Sequence, residues 1–354
     1  MEDKTVFTEM LNNVREKRDS LPTESAIKLA LTDDILCEIE SRIRRVPINE
    51  LKYATYPPLL LFVYRNDVNT VQALEEDILL IKNNSSPESF NNLIGFLKAS
   101  EKRPRDWDSA FFEVFIKAVL LKRFAKGSVI LDKELPNGRN LDVLVLLYNR
   151  WINFEVTILS SSQEDYDVYN SFKEHLKKDP DIVLSRPGKY DPPNSKGPSP
   201  YYDEFRVYRK VYDKIADEKL DTDKSQMVPD EPNILLLFIG DAISPLSYSP
   251  GIGWAFDELF ADQPRDNSSF LKWFEVEFRR LGLDEEWYSV NSDKIISAPR
   301  KLGGTVIFDG SSGEIIGSRM NYNANAEHKI SHKEMAEIEE IFRKKPVYVA
   351  PKGE

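Results

Sequence analysis

The stretch NLDVLVLLYNRWINFEVTIL, Asn140 to Leu159, reads as two strands joined by a tight turn at Asn149-Arg150. Short β-branched and aromatic runs on either side of a turn pair are the mark of a hairpin. Two carboxylates interrupt it, Asp142 at the mouth of the first run and Glu155 inside the second. With Asn149 and Arg150 as the turn, Tyr148 pairs with Trp151, and counting back sets Asp142 opposite Thr157. Glu155, two residues from Thr157, then falls on the same face and diagonal to Asp142. Carboxylates that converge repel unless a proton or cation lies between them, and a hard divalent ion, Mg²⁺ or Mn²⁺, suits an all-oxygen site. Such an ion activates water and polarises a phosphoryl oxygen. The plain alternative is a pair of solvent-exposed acids near a strand edge.

The PNGR turn and the run SVIL add a further strand upstream. Before it, FFEVFIKAVLLKRF from Phe111 is apolar nearly all round, the pattern of a buried helix. The first hundred residues read as helices. Ile35, Leu36, Ile39 and Ile43 share one face behind a Thr32 cap, and Val71, Leu74, Ile78 and Ile81 repeat the period. Ser86-Pro87 then supplies a cap and first-turn proline before Phe90, Leu93, Ile94 and Leu97. Downstream, residues 179–202 carry Pro180, Pro187, Pro192, Pro193, Pro198 and Pro200, a loop that is either a lid over a site or a surface excursion. Tyr201 to Leu220 reads as a helix, and the continuous apolar run from Asn233 to Gly240 as a central strand covered on both faces. Helices over Phe256–Phe260 and Phe270–Leu281, a strand pair in TVIFDGSSGEIIGSRM and a helix from His332 to Lys344 complete the chain. Gly251 to Gly253, GIG, reads as a turn before a helix. The expected architecture is a mixed α/β domain over 105–354 behind an all-helical region over 1–104.

The 354 residues, 41% hydrophobic and 30% charged, match an ordinary globular protein with one large core or two modest ones. No apolar run approaches the roughly twenty residues of a membrane span, and MEDKTVFTEM lacks an export signal, so a cytoplasmic location without membrane contact is expected. One cysteine, Cys37, excludes an internal disulfide framework, and three histidines leave little room for a His-rich metal site. His328 and His332, spaced i and i+4, read as surface or capping residues. No GxSxG, HExxH, CxxC or P-loop motif appears. A net charge of −11 opposes nonspecific attraction to nucleic acid. Arg42, Arg44 and Arg45, then Lys102, Arg103 and Arg105, then Lys122, Arg123 and Lys126 are either local basic grooves or solvated ends.

A buried helix carrying Glu113, a strand entering at Asp142, a strand holding Glu155-Val156-Thr157 and a following helix form a layout with a known counterpart. It resembles the core of the PD-(D/E)XK nuclease superfamily, the restriction-endonuclease-like fold, over roughly Asp108 to Leu237. The resemblance implies a metal-dependent nuclease that hydrolyses phosphodiester bonds of DNA or RNA. Asp142, Glu155 and the Val156 carbonyl would ligate Mg²⁺ or Mn²⁺, and Glu113 would orient the site from its helix. Two positions depart from the pattern. Leu141 replaces a proline that shapes the strand entry. Thr157 replaces the lysine that positions the attacking water and stabilises developing negative charge, and a hydroxyl carries no charge.

Some members of the superfamily recover that lysine from a neighbouring helix, and EFRVYRKVYDKIADEKL offers Lys210, Lys214 and Lys219. Lys214, beside Val207 at the border of the apolar arc, is selected because its amine could reach inward while its stem packs. Glu113 stands four residues before Lys117, the spacing of a helical ion pair. Its apolar neighbours Phe111, Phe112, Val114, Phe115 and Ile116 demand a partner or loss of charge, so structural and functional roles both stay open. The rival to a nuclease is a non-catalytic descendant of the same fold, a scaffold or a nucleic-acid- or protein-binding module, with Thr157 the trace of a lost site. The helical N-terminal region would bind substrate, a partner protein or a second copy of the chain.

Overall fold

The computed structural model describes residues 2–45, 58–98, 104–159, 175, 200–216, 220–221, 225–239, 250–265, 268–311 and 314–343. Among them, six strands form one mixed sheet in chain order: β1 (Val129–Glu134), β2 (Asn140–Leu147), β3 (Arg150–Leu159), β4 (Asn233–Ile239), β5 (Leu302–Ser311) and β6 (Glu314–Tyr322). The first three run antiparallel, β4 is parallel to β3 and to β5, and β6 returns antiparallel. Every residue of β4 is buried. Its side chains alternate between two cores, Ile234, Leu236 and Phe238 on one side, Leu235, Leu237 and Ile239 on the other. That is why its sequence is an unbroken apolar run.

Parallel neighbours need crossovers, and helices supply them on the Leu235 face. They are α8 (Pro200–Ile215) between β3 and β4, then α9 (Pro250–Leu259), α10 (Ser269–Arg280) and α11 (Glu285–Ser297) between β4 and β5. The opposite face receives α7 (Pro104–Arg123) and α12 (His332–Arg343). The Phe112 ring of α7 lies 4.9 Å from that of Phe238 and 5.1 Å from that of Phe308, and Phe342 of α12 meets Phe308 at 5.3 Å.

Outside α7 lie α1 (Glu2–Asp19), α2 (Ala26–Ala30), α3 (Asp33–Arg45), α4 (Pro58–Arg65), α5 (Val68–Lys82) and α6 (Pro87–Leu97). One continuous apolar cluster runs from Met10 in α1 through Phe111 to β4 and Phe342. Helix α7 is thus sandwiched between the sheet and the N-terminal helices, which accounts for its all-round apolar surface. The expected caps form, with Thr32 accepting from Ile35 N–H and Ser86 from Ser89 N–H, and Asp67 adds another by accepting from Thr70 N–H. At the C-terminus of α4, the Lys17 ammonium donates to the carbonyls of Val63, Tyr64 and Asn66 at 3.2, 2.9 and 2.6 Å. The chain is therefore α/β, a six-stranded mixed sheet flanked by helices with a helical N-terminal region. No helix among the described residues is long and apolar enough to cross a membrane.

Four local expectations change. The hairpin turn falls one residue early: Leu147 pairs with Arg150 and Val143 with Phe154, leaving Tyr148 and Asn149 as the turn, at φ of 50° and 65°. A two-residue hairpin turn of this kind needs positive φ at both positions. Asparagine tolerates it. Tyr148 is held there by α12, its hydroxyl donating to Glu337 Oε2 at 3.3 Å and its ring 3.9 Å from the Lys333 ammonium. The GIG segment is the first turn of α9, not a turn ahead of it, with Pro250 in the opening position that proline favours. Helix α8 stops at Ile215 rather than Leu220, whose φ of 62° is incompatible with continuation. Helix α11 was not expected. Residues 179–199 of the proline-rich stretch, Lys219, Lys102 and Arg103 lie outside the described residues.

Candidate functional site

The β2–β3 ladder pairs backbone to backbone as far as Val143 and Phe154. One step further, Asp142 faces Glu155, not Thr157, and the side chains take over. Asp142 N–H donates to Glu155 Oε1 at 3.4 Å, and Val156 N–H donates to Asp142 Oδ2 at 2.7 Å. Main-chain donors must find partners when buried, and here each strand's acid serves the other strand's amide. The earlier turn moves each partner by two positions, which leaves every side chain on its expected face. The two acids converge for that reason, directly rather than diagonally.

Helix α8 crosses this point. Val207, Tyr208, Val211, Tyr212 and Ile215 are buried, so the helix has one rotational setting. Two hydroxyls fix it further: Tyr212 donates to the Ile295 carbonyl at 2.7 Å and Tyr208 to Glu258 Oε2 at 2.8 Å. The setting aims Lys214, in the last turn, at the strand acids. Its ammonium donates to Glu155 Oε2 at 3.1 Å and to Asp142 Oδ2 at 3.4 Å. Gln226 N–H, 2.8 Å from the Lys214 carbonyl, ties down the helix end. Thr157, meanwhile, pairs with Leu237 in β4.

A second charged group lies alongside. From α7, the Lys117 ammonium donates to Glu113 Oε1 at 2.6 Å and to Asp132 Oδ1 at 2.7 Å, with the lysine side chain 2% exposed. The ion pair foreseen for Glu113 thus exists, but it is buried and shared with Asp132. Asp132 has a φ of 53° inside β1, an unusual conformation for a strand residue. The pairs Leu131–Val143 and Lys133–Leu141 place Asp132 across from Asp142. Three acids, Asp132, Asp142 and Glu155, therefore occupy one row across three neighbouring strands.

Burial is the dominant electrostatic influence on Glu155. It pushes the Glu155 carboxyl well above the ordinary glutamate value, repulsion from Asp142 adds to the shift, and Lys214 offsets only part of it. Burial likewise raises Glu113; Lys117 counteracts it and Asp142 reinforces it. Both lysines resist the loss of charge that burial favours. Glu113 and Asp132 hold Lys117 up at about 12, and Asp142 and Glu155 hold Lys214 above its usual value. With all groups ionised, four carboxylates facing two ammonium groups leave an excess of two negative charges.

Comparison of the chain with protein-family models, curated proteins and solved structures finds no match. Among the described residues, no cluster of three or more His, Cys, Asp and Glu side chains is arranged to hold a metal. A site of two carboxylates and one main-chain carbonyl still fits Mg²⁺, which keeps several waters and commonly takes only one or two protein carboxylates plus substrate phosphate. The ammonium of Lys214, seated against one oxygen of each acid, already stands in for a cation there.

Sequence reasoning missed Asp132 and Asn153. The first could have been found by extending the strand register through the PNGR turn. Asn153 is fully buried, and its Nδ2 donates to Asn233 Oδ1 at 3.0 Å and lies 3.5 Å from Glu155 Oε1; an amide in an apolar strand was its only signal. Of the basic candidates, Lys122 is ion-paired to Asp77, Arg123 to Glu337 at 2.7 Å and Arg44 to Glu40 at 2.6 Å. His328 lines a cleft of about 360 Å³ with Lys301 and Glu327. His332 opens α12 behind a capping box in which Glu334 N–H donates to Ser331 Oγ at 3.3 Å and Ser331 N–H to Glu334 Oε2 at 2.7 Å.

Proposed function

We propose that the chain is a metal-dependent nuclease with a restriction-endonuclease-like core, hydrolysing phosphodiester bonds of nucleic acid. The observation that carries this reading is the Lys214 amine. It comes from a helix, yet sits within 3.4 Å of both strand acids, where the positive charge missing at Thr157 is needed. Asp142, Glu155 and the Val156 carbonyl would hold Mg²⁺ or Mn²⁺. The ion, when bound, lowers the pKa of a water and polarises a phosphoryl oxygen.

The remaining roles belong to the chain. Asp142 and Glu155 are held by Val156 N–H and Asp142 N–H, so they stay in place for binding. Lys214, kept charged by those acids, orients the attacking water and neutralises charge that grows on the phosphate oxygens. Glu113, pinned by Lys117, adds negative potential beside Asp142 and so favours a cation there.

The rival reading, a non-catalytic scaffold or binding module, draws support from the net charge of −11 and the pairing of Lys122 and Arg123 with acids. Incubating plasmid, linear and single-stranded DNA and RNA with Mg²⁺ or Mn²⁺ separates the two. Cutting by the wild type, reduced at least about a hundredfold by Asp142→Ala, is expected for removal of a group that acts in the transition state. Equal cutting by both proteins sinks the role of Asp142, and no cutting of any substrate favours the scaffold.

A further inference from the structure

We infer that Lys214 and the divalent ion are alternative occupants of the space between Asp142 and Glu155, so that metal entry expels the amine and turns it toward substrate. This rests on the metal-dependent reading of the same site. The ammonium contacts Glu155 Oε2 at 3.1 Å and Asp142 Oδ2 at 3.4 Å. A cation bonded to those two oxygens, at the ~2.1 Å usual for Mg²⁺, would leave two positive centres in contact with nothing between them. Two cations at that range repel strongly in a partly buried site, which favours one occupant over two.

The surroundings make an exchange more favourable than a simple loss. Glu155 is fully buried, so its carboxylate cannot turn to solvent when the amine departs; a proton or another cation must take the amine's place. Its oxygens and those of Asp142 keep their main-chain donors throughout, so the seat survives the change of occupant. Lys214 has somewhere to go. Its side chain is 15% exposed and stands in the last turn of α8, and four rotatable carbons let the head swing while the stem stays packed. The expelled amine then lies at the rim, where a phosphate oxygen would arrive. Because the internal amine must first be displaced, the wild type binds metal more weakly than its bare carboxylates would.

Two measurements on the full chain test this. Calorimetric titration with Mn²⁺ compares the wild type with Lys214→Met, and binding at least about tenfold tighter by the variant is expected, since the competing occupant is gone. Acetic anhydride labelling of the wild type, read by mass spectrometry, needs no variant to fold: the neutral amine takes an acetyl group as acetate leaves and the nitrogen gives up a proton. Lys214 should label slowly in EDTA and several-fold faster with saturating Mn²⁺, while Lys117 stays protected in both. Equal or weaker metal binding by Lys214→Met, or labelling of Lys214 that metal leaves unchanged or slows, overturns the exchange. Absence of Mn²⁺ binding in both proteins overturns the metal-dependent reading itself.

Discussion

Lys117→Met isolates the worth of the buried cluster beside the candidate site. The ammonium bridges Glu113 and Asp132 at 2.6 and 2.7 Å with its side chain 2% exposed. Methionine refills most of the volume, so what is lost is charge. Deleting one member of a buried ion pair costs about 3–5 kcal/mol, because its partners are left bare. The lysine's own titration gives a second figure. A pKa carried from 10.5 to about 12 corresponds to about 2 kcal/mol of coupling. Its sign is that of a raised pKa: the stabilisation is complete below 10.5 and disappears as pH climbs through about 12. The first figure includes the stranded carboxylates and the second does not, so a loss of about 3 kcal/mol is expected at pH 7.5. For a chain of 354 residues, an unfolding entropy of about 2.1 cal/mol/K per residue turns that into a Tm lower by about 4 °C. Urea unfolding followed by tryptophan fluorescence and scanning calorimetry give the two values. The loss should shrink as pH falls, since burial already favours the protonated form of Glu113. Combining Lys117→Met with Glu113→Gln and Asp132→Asn should recover most of it, because the bare charges go too. A loss under about 1 kcal/mol for the single variant, or a triple variant no more stable than the single, would show that Lys117 does not neutralise Glu113 and Asp132.

Glu155→Gln tests the other acid. Burial and Asp142 hold its carboxyl well above 4.5, so its contribution is fullest at low pH and declines as pH rises from 4.5 toward the elevated value. The variant should show a flatter dependence of urea stability on pH above 4.5 than the wild type, and an unchanged slope would count against the shift. Ser331→Ala removes the cap of α12. It should cost about 1 kcal/mol, measurable as a lower urea midpoint at unchanged m-value, while Ser331→Thr stays close to wild type.

What could be read before the structure follows from where the information lies. The unbroken run of β4 and the all-round apolar face of α7 announce burial on two sides, and both are found sandwiched. Lys214 was legible because a lysine at the border of an apolar arc has a packed stem and a free head, and α8 sets that border over the strand acids. The turn was not. Asn149-Arg150 is the better local choice, but Tyr148 is anchored by Glu337 and Lys333, which lie far along the chain. The row position of Asp132 was within reach of the register, but its left-handed backbone and its contact with Lys117 join a helix to a strand, which neither periodicity reveals. Helix α11 has a single buried residue, Ile295, so no apolar stripe marks it; the Asp284 cap on Trp287 N does.

The sheet's strand order is also the order of synthesis, and that makes assembly directional. Each strand from β2 onward finds its first partner already emerged from the ribosome, so the sheet can lengthen edgewise without waiting for a later segment. One face is the exception. Phe342 of α12 packs against Phe154 at 6.1 Å and Phe308 at 5.3 Å, adding to the cover that α7 gives this face only after β6 has been made. A message truncated before His332 would release a chain with its sheet complete and α7 in place but without Phe342 over Phe154 and Phe308, apolar surface that chaperones bind.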